Sequence, residues 1–298
     1  MLKKYRRITG LFMVFVMAFV LFTTPNVLAA TGVELDPQYV TGVPSISSIS
    51  TVSGDLVKGA SEKVRVNIFF APNPTVSDVN CSIKVYFKKN STDKLLATKQ
   101  VVITSTSSVD IPVTFPSVGS AQIYAKLYVS SNELDISSLR TITVMGKWRI
   151  RIDLPEKRTN EGTLKLYDGN GTLLLLAPCL GLSATGDDML VKKGHTPTGE
   201  YTGYLGGPQS DTNKYGPHKV VKMDGVSGKI IESGRSGIWI HGGRNSSPTA
   251  TNYDLSATYG CVRVTKGHQK QIQDLITALI NEGYHYSTGN ISIVQEGD

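Results

Sequence analysis

GIWIHGGRNSSPTATNYDLSATYGCVRV, residues 237–264, holds the two side chains of this sequence best suited to chemistry, His241 and Cys261. Ser236 to Ile240 is β-branched and aromatic, which predicts a strand, and Gly242 and Gly243 end it just as the histidine reaches its rim. A polar loop follows, and Cys261 to Val264 alternates again with a period of two, as a short strand does. Side chains alternate across a strand, so Trp239 and His241 share one face, and Cys261 pairs with Arg263 on one face of the second. One arrangement that satisfies both patterns backs the aliphatic residues Ile238, Ile240, Val262 and Val264 onto a core and turns Trp239, His241, Cys261 and Arg263 toward a cleft. Spacing by itself does not bring the two segments together.

Three ordered motifs bear on that adjacency: Trp148 to Leu154 (WRIRIDL), His195 to Tyr201 (HTPTGEY), and His241–Gly242 followed by Thr258, Tyr259, Gly260, Cys261, Val262, Arg263. Together they resemble the L,D-transpeptidase catalytic domain (YkuD-like), with Tyr259 standing where that family commonly has histidine. The resemblance covers the second half of the chain. It implies that Cys261 is a nucleophile, that His241 is its base, oriented by the Gly242 carbonyl, and that the N–H groups of Tyr259, Gly260 and Cys261 meet the negative charge of a tetrahedral intermediate. A thiolate is the attacking form of cysteine, and an imidazole beside it can stabilise that thiolate and later protonate the leaving group. Arg263 has two expected tasks, holding a substrate carboxylate or fixing the cysteine loop, and an arginine fork suits either. The resemblance further implies acyl transfer between peptidoglycan stem peptides, linking third residues through a thioester on Cys261. Water as acceptor turns the same site into an L,D-carboxypeptidase. A non-catalytic wall-binding surface protein is the third reading, and Tyr259 is its main support. The family implies no cofactor.

The length of 298 residues suggests two domains at roughly 100 to 200 residues each. Met1 to Arg7 is basic, Leu11 to Phe22 is apolar throughout, and small residues end at Ala30, so 1–30 reads as a secretory signal peptide. The net charge of +7 includes Lys3, Lys4, Arg6 and Arg7 of that leader, and without them it falls to +3. The lysines of the rest are scattered, so nucleic acid is not an expected partner. No stable membrane insertion is expected once the leader is cleaved, because its apolar run is shorter than the roughly 20 residues that span a bilayer. The leader makes secretion the expectation, and the resemblance implies a bacterial cell wall or envelope as the place of action; a monomer is expected. The cysteines Cys81, Cys179 and Cys261 are odd in number, and the first two sit in strand-like runs as packing residues. Zinc is not expected, since paired-cysteine spacing and an HExxH helix are both missing.

The expected fold is mainly β: an N-terminal immunoglobulin-like β-sandwich followed by an L,D-transpeptidase-type β-sandwich with one packed α-helix. Thr31 to Ser50 is rich in Thr, Ser, Gly and Pro and reads as a linker (31–50). Across 51–145, strand candidates recur at the 8 to 12 residue spacing of a sandwich. They are Ile46–Val52, Lys63–Ala71, Cys81–Lys88, Leu95–Ile103, Val109–Phe115, Gln122–Val129 and Leu139–Met145. This half contains no histidine; a spacer or recognition role is expected of it. The catalytic domain, 146–298, is expected to open with Lys147–Leu154. Strands at Leu164–Tyr167 and Leu173–Ala177 flank a hairpin turn at Asp168–Gly171. Strands at Lys219–Met223 and Lys229–Glu232 are expected around a turn at Asp224–Gly225. The tyrosines of Gly194–Pro217 either line a groove or pack an edge. His268–Glu282 carries apolar residues at i, i+3, i+4, i+7 and i+8 and predicts the helix, with Ile291–Val294 as a closing strand. His195, His218, His268 and His285 are read as packing or surface residues.

Overall fold

A computed structural model of the chain describes residues 42–243 and 255–296. The leader, the first part of the expected linker and the polar loop between His241 and Cys261 (244–254) lie outside the described residues.

Nine strands form the first half: β1 (Ser45–Thr51), β2 (Leu56–Val57), β3 (Ser61–Phe69), β4 (Val79–Lys89), β5 (Thr92–Ile103), β6 (Ser107–Thr114), β7 (Gly119–Val129), β8 (Asn132–Ile136) and β9 (Arg140–Met145). They make a three-stranded sheet, β1-β3-β6, and a second sheet, β2-β9-β7-β4-β5, with β8 on β7. Both sheets turn alternate residues into one core. Val64, Val66 and Ile68 of β3 are fully buried, as are Ile83 and Val85 of β4 and Ile123, Ala125 and Leu127 of β7. Cys81 is buried in that core, as its strand position predicts. The expected strand Ile46–Val52 forms as β1, Ser45–Thr51, which pairs along β3 and overlaps the end of the 31–50 stretch. β1 is an edge strand with one buried residue, Ile49, and two exposed serines, Ser47 and Ser48.

The second half contains β10 (Arg149–Leu154), β11 (Gly162–Tyr167), β12 (Leu173–Cys179), β13 (Gly199–Pro208), α1 (Thr212–Tyr215), β14 (Lys219–Ser227), α2 (Lys229–Glu232), β15 (Ile238–His241), β16 (Val262–Arg263), α3 (Lys266–Asn281) and β17 (Thr288–Gln295). Its eight strands run in the order β12-β11-β10-β17-β13-β14-β15-β16. The pairs β10–β17 and β15–β16 are parallel and the rest are antiparallel. The Asp168–Gly171 hairpin forms as its sequence predicts, with Asp168 N–H donating to Thr172 O at 3.0 Å. Helix α3 is the expected helix, buried through Ile272, Ile276 and Leu279 against β12, β14 and β15. Each such side chain withdrawn from water contributes about 1.5–3 kcal/mol before entropy is counted. Among the described residues, no helix is long and apolar enough to cross a membrane.

Two expectations fail next to one another. Lys229–Glu232 is a single helical turn, α2, and Asp224–Gly225 lies inside β14, opposite Thr202 and Tyr201 of β13. The chain reverses three residues later, at Gly228 with φ +85°. Ile230 is then buried, and a Cβ on Gly225 would press on its Cγ1 at 2.7 Å. Gly225 is small so that Ile230 can pack, and it makes no turn.

Candidate active site

The central strand pair is built as its alternation demands. Ile238 and Ile240 of β15 and Val262 of β16 enter the core. The parallel register sets Ile240 beside Val262 and His241 beside Arg263, which leaves Cys261 one residue before the pairing begins. On the other side of β16, Leu180 exchanges two hydrogen bonds with Arg263, both 2.9 Å. Thr258 N–H donates to Leu182 O at 2.9 Å, and Ala184 N–H donates to Thr258 O at 2.8 Å. The cysteine loop is therefore held by backbone on both flanks. Beyond it, Thr265 caps α3 by accepting from His268 N–H at 3.0 Å.

A cavity of about 180 Å³ opens over this seam. Its wall includes His241, Cys261, Arg263, Thr258, Tyr259, Gly237, Lys214 and Tyr215. His241 is 2% exposed. Its Nδ1 lies 2.7 Å from Gly242 O, and a carbonyl only accepts, so Nδ1 carries the proton and Nε2 keeps a lone pair. The Tyr215 ring meets the imidazole edge-on, centroids 5.0 Å apart, and leans on Trp239 at 5.3 Å. Tyr215 is thus a groove residue, whereas Tyr201 of the same passage packs in the core with its hydroxyl donating to Pro197 O at 2.6 Å. Both readings of that passage apply, each to a different ring.

Arg263, also 2% exposed, turns its guanidinium to backbone. Nη1 donates to Lys214 O at 2.8 Å and to Gly242 O, and Nε donates to Ser256 O at 3.3 Å. Of its two expected tasks, these bonds match fixing the loop. Gly260 N–H donates to Thr258 Oγ1 at 3.1 Å, so one of the three oxyanion donors that the resemblance implies is already engaged. Tyr259 is 49% exposed, with Lys193 Nζ 5.2 Å from its ring centre.

The electrostatics favour a neutral resting pair. Burial pushes the His241 pKa down to about 4, and the Arg263 charge pushes the same way against the Gly242 hydrogen bond. Burial also raises the Cys261 thiol above its ordinary value, opposed by a backbone hydrogen bond at Trp239 and by Arg263, Lys214 and Arg235. The sulfur is half-buried and within 3.7 Å of Gly237 O. Both shifts favour the thiol and the free imidazole over a thiolate–imidazolium pair.

Two of the other histidines, His195 and His285, are buried. His195 Nδ1 accepts from Ser183 N–H at 3.0 Å, and His285 Nε2 accepts from Gly169 N–H at 3.1 Å. Cys179 is buried, and Cys81, Cys179 and Cys261 are all free thiols. Among the described residues no group of three or more His, Cys, Asp or Glu could hold a metal ion. Sequence reasoning missed Lys214, Arg235 and Gln269. Gln269 Nε2 donates to Tyr215 O and His218 O, both at 2.9 Å, and so ties α3 to the tyrosine loop. A polar residue on the apolar stripe of the helix was its only sign.

A cysteine and an imidazole share one cavity, and the Thr196 hydroxyl, just before β13, donates to Cys261 O at 3.2 Å. Residues 147–288 match the YkuD L,D-transpeptidase catalytic domain. No curated protein matches the chain. Among solved structures, Bd1075 of Bdellovibrio bacteriovorus is 21% identical, with 50% of this chain and 48% of that one covered and a TM-score of 0.31. A glycosyl hydrolase family 2 member from Bacteroides cellulosilyticus is 14% identical, covering 48% and 18%, with a TM-score of 0.25. The chicken interferon gamma receptor alpha chain is 12% identical, covering 34% and 50%, with a TM-score of 0.20. The chain spans no more than half the length of any of these three. The matched region runs from just before β10 to the start of β17, and the residues lining the cavity fall within it.

Proposed function

We propose that the chain is an exported cysteine acyltransferase of peptidoglycan that links the third residues of two stem peptides. The observation that carries this reading is the shared cavity of Cys261 and His241, with Nδ1 of the imidazole committed to Gly242 O and Nε2 left to act. Cys261 Sγ attacks the carbonyl of the third residue of a tetrapeptide stem while His241 Nε2 takes the thiol proton. The tetrahedral oxyanion lies against the N–H groups of Tyr259 and Cys261, where one donor supplies about 2.7–4 kcal/mol of transition-state stabilisation. Collapse breaks the amide bond, and the leaving D-alanine nitrogen takes its proton from His241. The side-chain amine of a second stem, deprotonated by His241, then attacks the thioester and releases Cys261. Water in its place gives the carboxypeptidase outcome.

On this reading the leader exports the protein, the chain acts as a monomer at the bacterial wall, and the first sandwich is an immunoglobulin-like spacer or recognition module. The test is incubation of the mature protein with purified muropeptides and mass spectrometry of the products. A dimer joined between third residues is expected, and Cys261→Ala should yield none. A tripeptide alone would assign hydrolysis, and unchanged muropeptides would favour a wall-binding protein.

A further inference from the structure

Arg235 lies between α2 and β15 in the run Ser233-Gly234-Arg235-Ser236-Gly237, with nothing in the sequence to single it out. Its half-buried guanidinium meets four carbonyl oxygens. Nη1 donates to Met189 O at 3.0 Å and His195 O at 2.7 Å. Nη2 donates to Gly194 O at 3.1 Å and Tyr259 O at 3.2 Å. One side chain therefore joins the 189–195 segment to the turn that precedes the nucleophile.

The Tyr259 carbonyl shares a peptide plane with the Gly260 N–H, and that N–H donates to Thr258 Oγ1. The Thr258 hydroxyl in turn donates to Cys261 O at 2.8 Å. The plane is thus pinned at opposite edges, by Arg235 and by Thr258, one residue before the sulfur. A peptide unit is rigid, so fixing both edges leaves little freedom in how Cys261 is presented. Gly260 is required twice over. Its φ is +106°, and a Cβ there would overlap Arg235 Nη2.

We propose that Arg235 is a positioning residue for Cys261: by holding the Tyr259 carbonyl against the 189–195 segment it sets the direction of the sulfur and of the turn's N–H groups. The proposal rests on the reading of Cys261 as the nucleophile. A planar fork is needed to span the two segments, and the point charge of a lysine cannot hold four oxygens in one plane. Arg235 also opposes the burial that raises the Cys261 thiol, alongside Arg263 and Lys214.

The test uses the full mature chain with Arg235→Lys, Arg235→Gln and Thr258→Val, the last removing the opposite pin without touching the guanidinium. Muropeptide turnover gives kcat and KM, and iodoacetamide alkylation of Cys261 across pH reports the thiol directly. A misplaced reacting group costs up to about 100-fold, so kcat should fall about 10- to 100-fold in all three variants, with KM within about twofold. Alkylation of Arg235→Gln should need a higher pH than the wild type, with Arg235→Lys in between. A lower melting temperature with kcat and the alkylation profile unchanged would mean that Arg235 only braces the fold, and the proposal falls. If Arg235→Gln does not fold, Thr258→Val decides: unaltered kcat in that variant overturns the idea. Failure of the acyltransfer reading is seen separately, as turnover that survives Cys261→Ala, while alkylation still reports on Arg235.

Discussion

His241 and Arg263 converge on one acceptor, the carbonyl oxygen of Gly242, and their nitrogens stand 3.3 Å apart around it. Both nitrogens are donors, so they do not bond to each other; the shared oxygen holds them side by side. The arginine raises the cost of protonating the imidazole while fixing the carbonyl that aims it.

Arg263→Lys keeps the charge and loses the fork that reaches the carbonyls of Gly242, Lys214 and Ser256. Hydrogen bonds from a charged group contribute about 1.5–3 kcal/mol each, and buried carbonyls left unpaired add to the loss. We expect a destabilisation of several kcal/mol, read from urea denaturation, with kcat reduced more than KM is raised. Unchanged stability would mean that water replaces the fork at no cost.

The low His241 pKa sets a pH dependence. A base that acts through His241 is competent when neutral, so kcat/KM should lose its acid side near pH 4, not near the ordinary value of 6.5. Stability follows the same group. The unfolded chain binds the extra proton between those two values, so the contribution of His241 is complete above pH 6.5 and lost as pH falls toward 4. One pKa unit corresponds to about 1.4 kcal/mol, so the loss is about 3 kcal/mol. His241→Asn keeps a donor near Gly242 O and deletes the base. It should lower kcat by about 10²- to 10⁴-fold and flatten that part of the stability profile. An acid limb centred on pH 6.5 in the wild type would contradict this.

Tyr259→His should retain kcat/KM within about threefold. The ring is largely exposed, and its contact with Lys193 is of the kind that contributes about 0.5–1 kcal/mol at a surface. Collapse of activity would give the phenol a task in binding that its surroundings do not indicate.

Gln269→Leu should act at a distance from the sulfur. It fits the apolar stripe of α3 but abandons the carbonyls of Tyr215 and His218, each at about 1–3 kcal/mol if left dry. We expect a lower melting temperature and a higher KM, since Tyr215 lines the cavity. A more stable protein with unaltered KM would show that Tyr215 is held by its ring contacts alone.

Much of the fold was legible because strand alternation carries across long segments. Val64, Val66 and Ile68 face inward as written, and so do the α3 residues Ile272, Ile276 and Leu279. The two-residue strand β2 and the exposed strand β8 were not legible, since neither is long or apolar enough to show a period. Lys229–Glu232 misled through its paired isoleucines: Ile230 finds the core after a turn set by Gly228. Around the site, His241, Cys261 and Arg263 stood out by motif and alternation. Arg235 and Lys214 did not, because each acts there through backbone carbonyls, its own or its neighbours', which any residue type provides and no pattern marks.

The group that orients the imidazole is a main-chain oxygen belonging to the next residue along. It has no acidity of its own to titrate, unlike a carboxylate in that place, and no side-chain replacement deletes it. A systematic alanine scan would pass over the third member of the proposed catalytic arrangement and register it only through the arginine that grips the same atom.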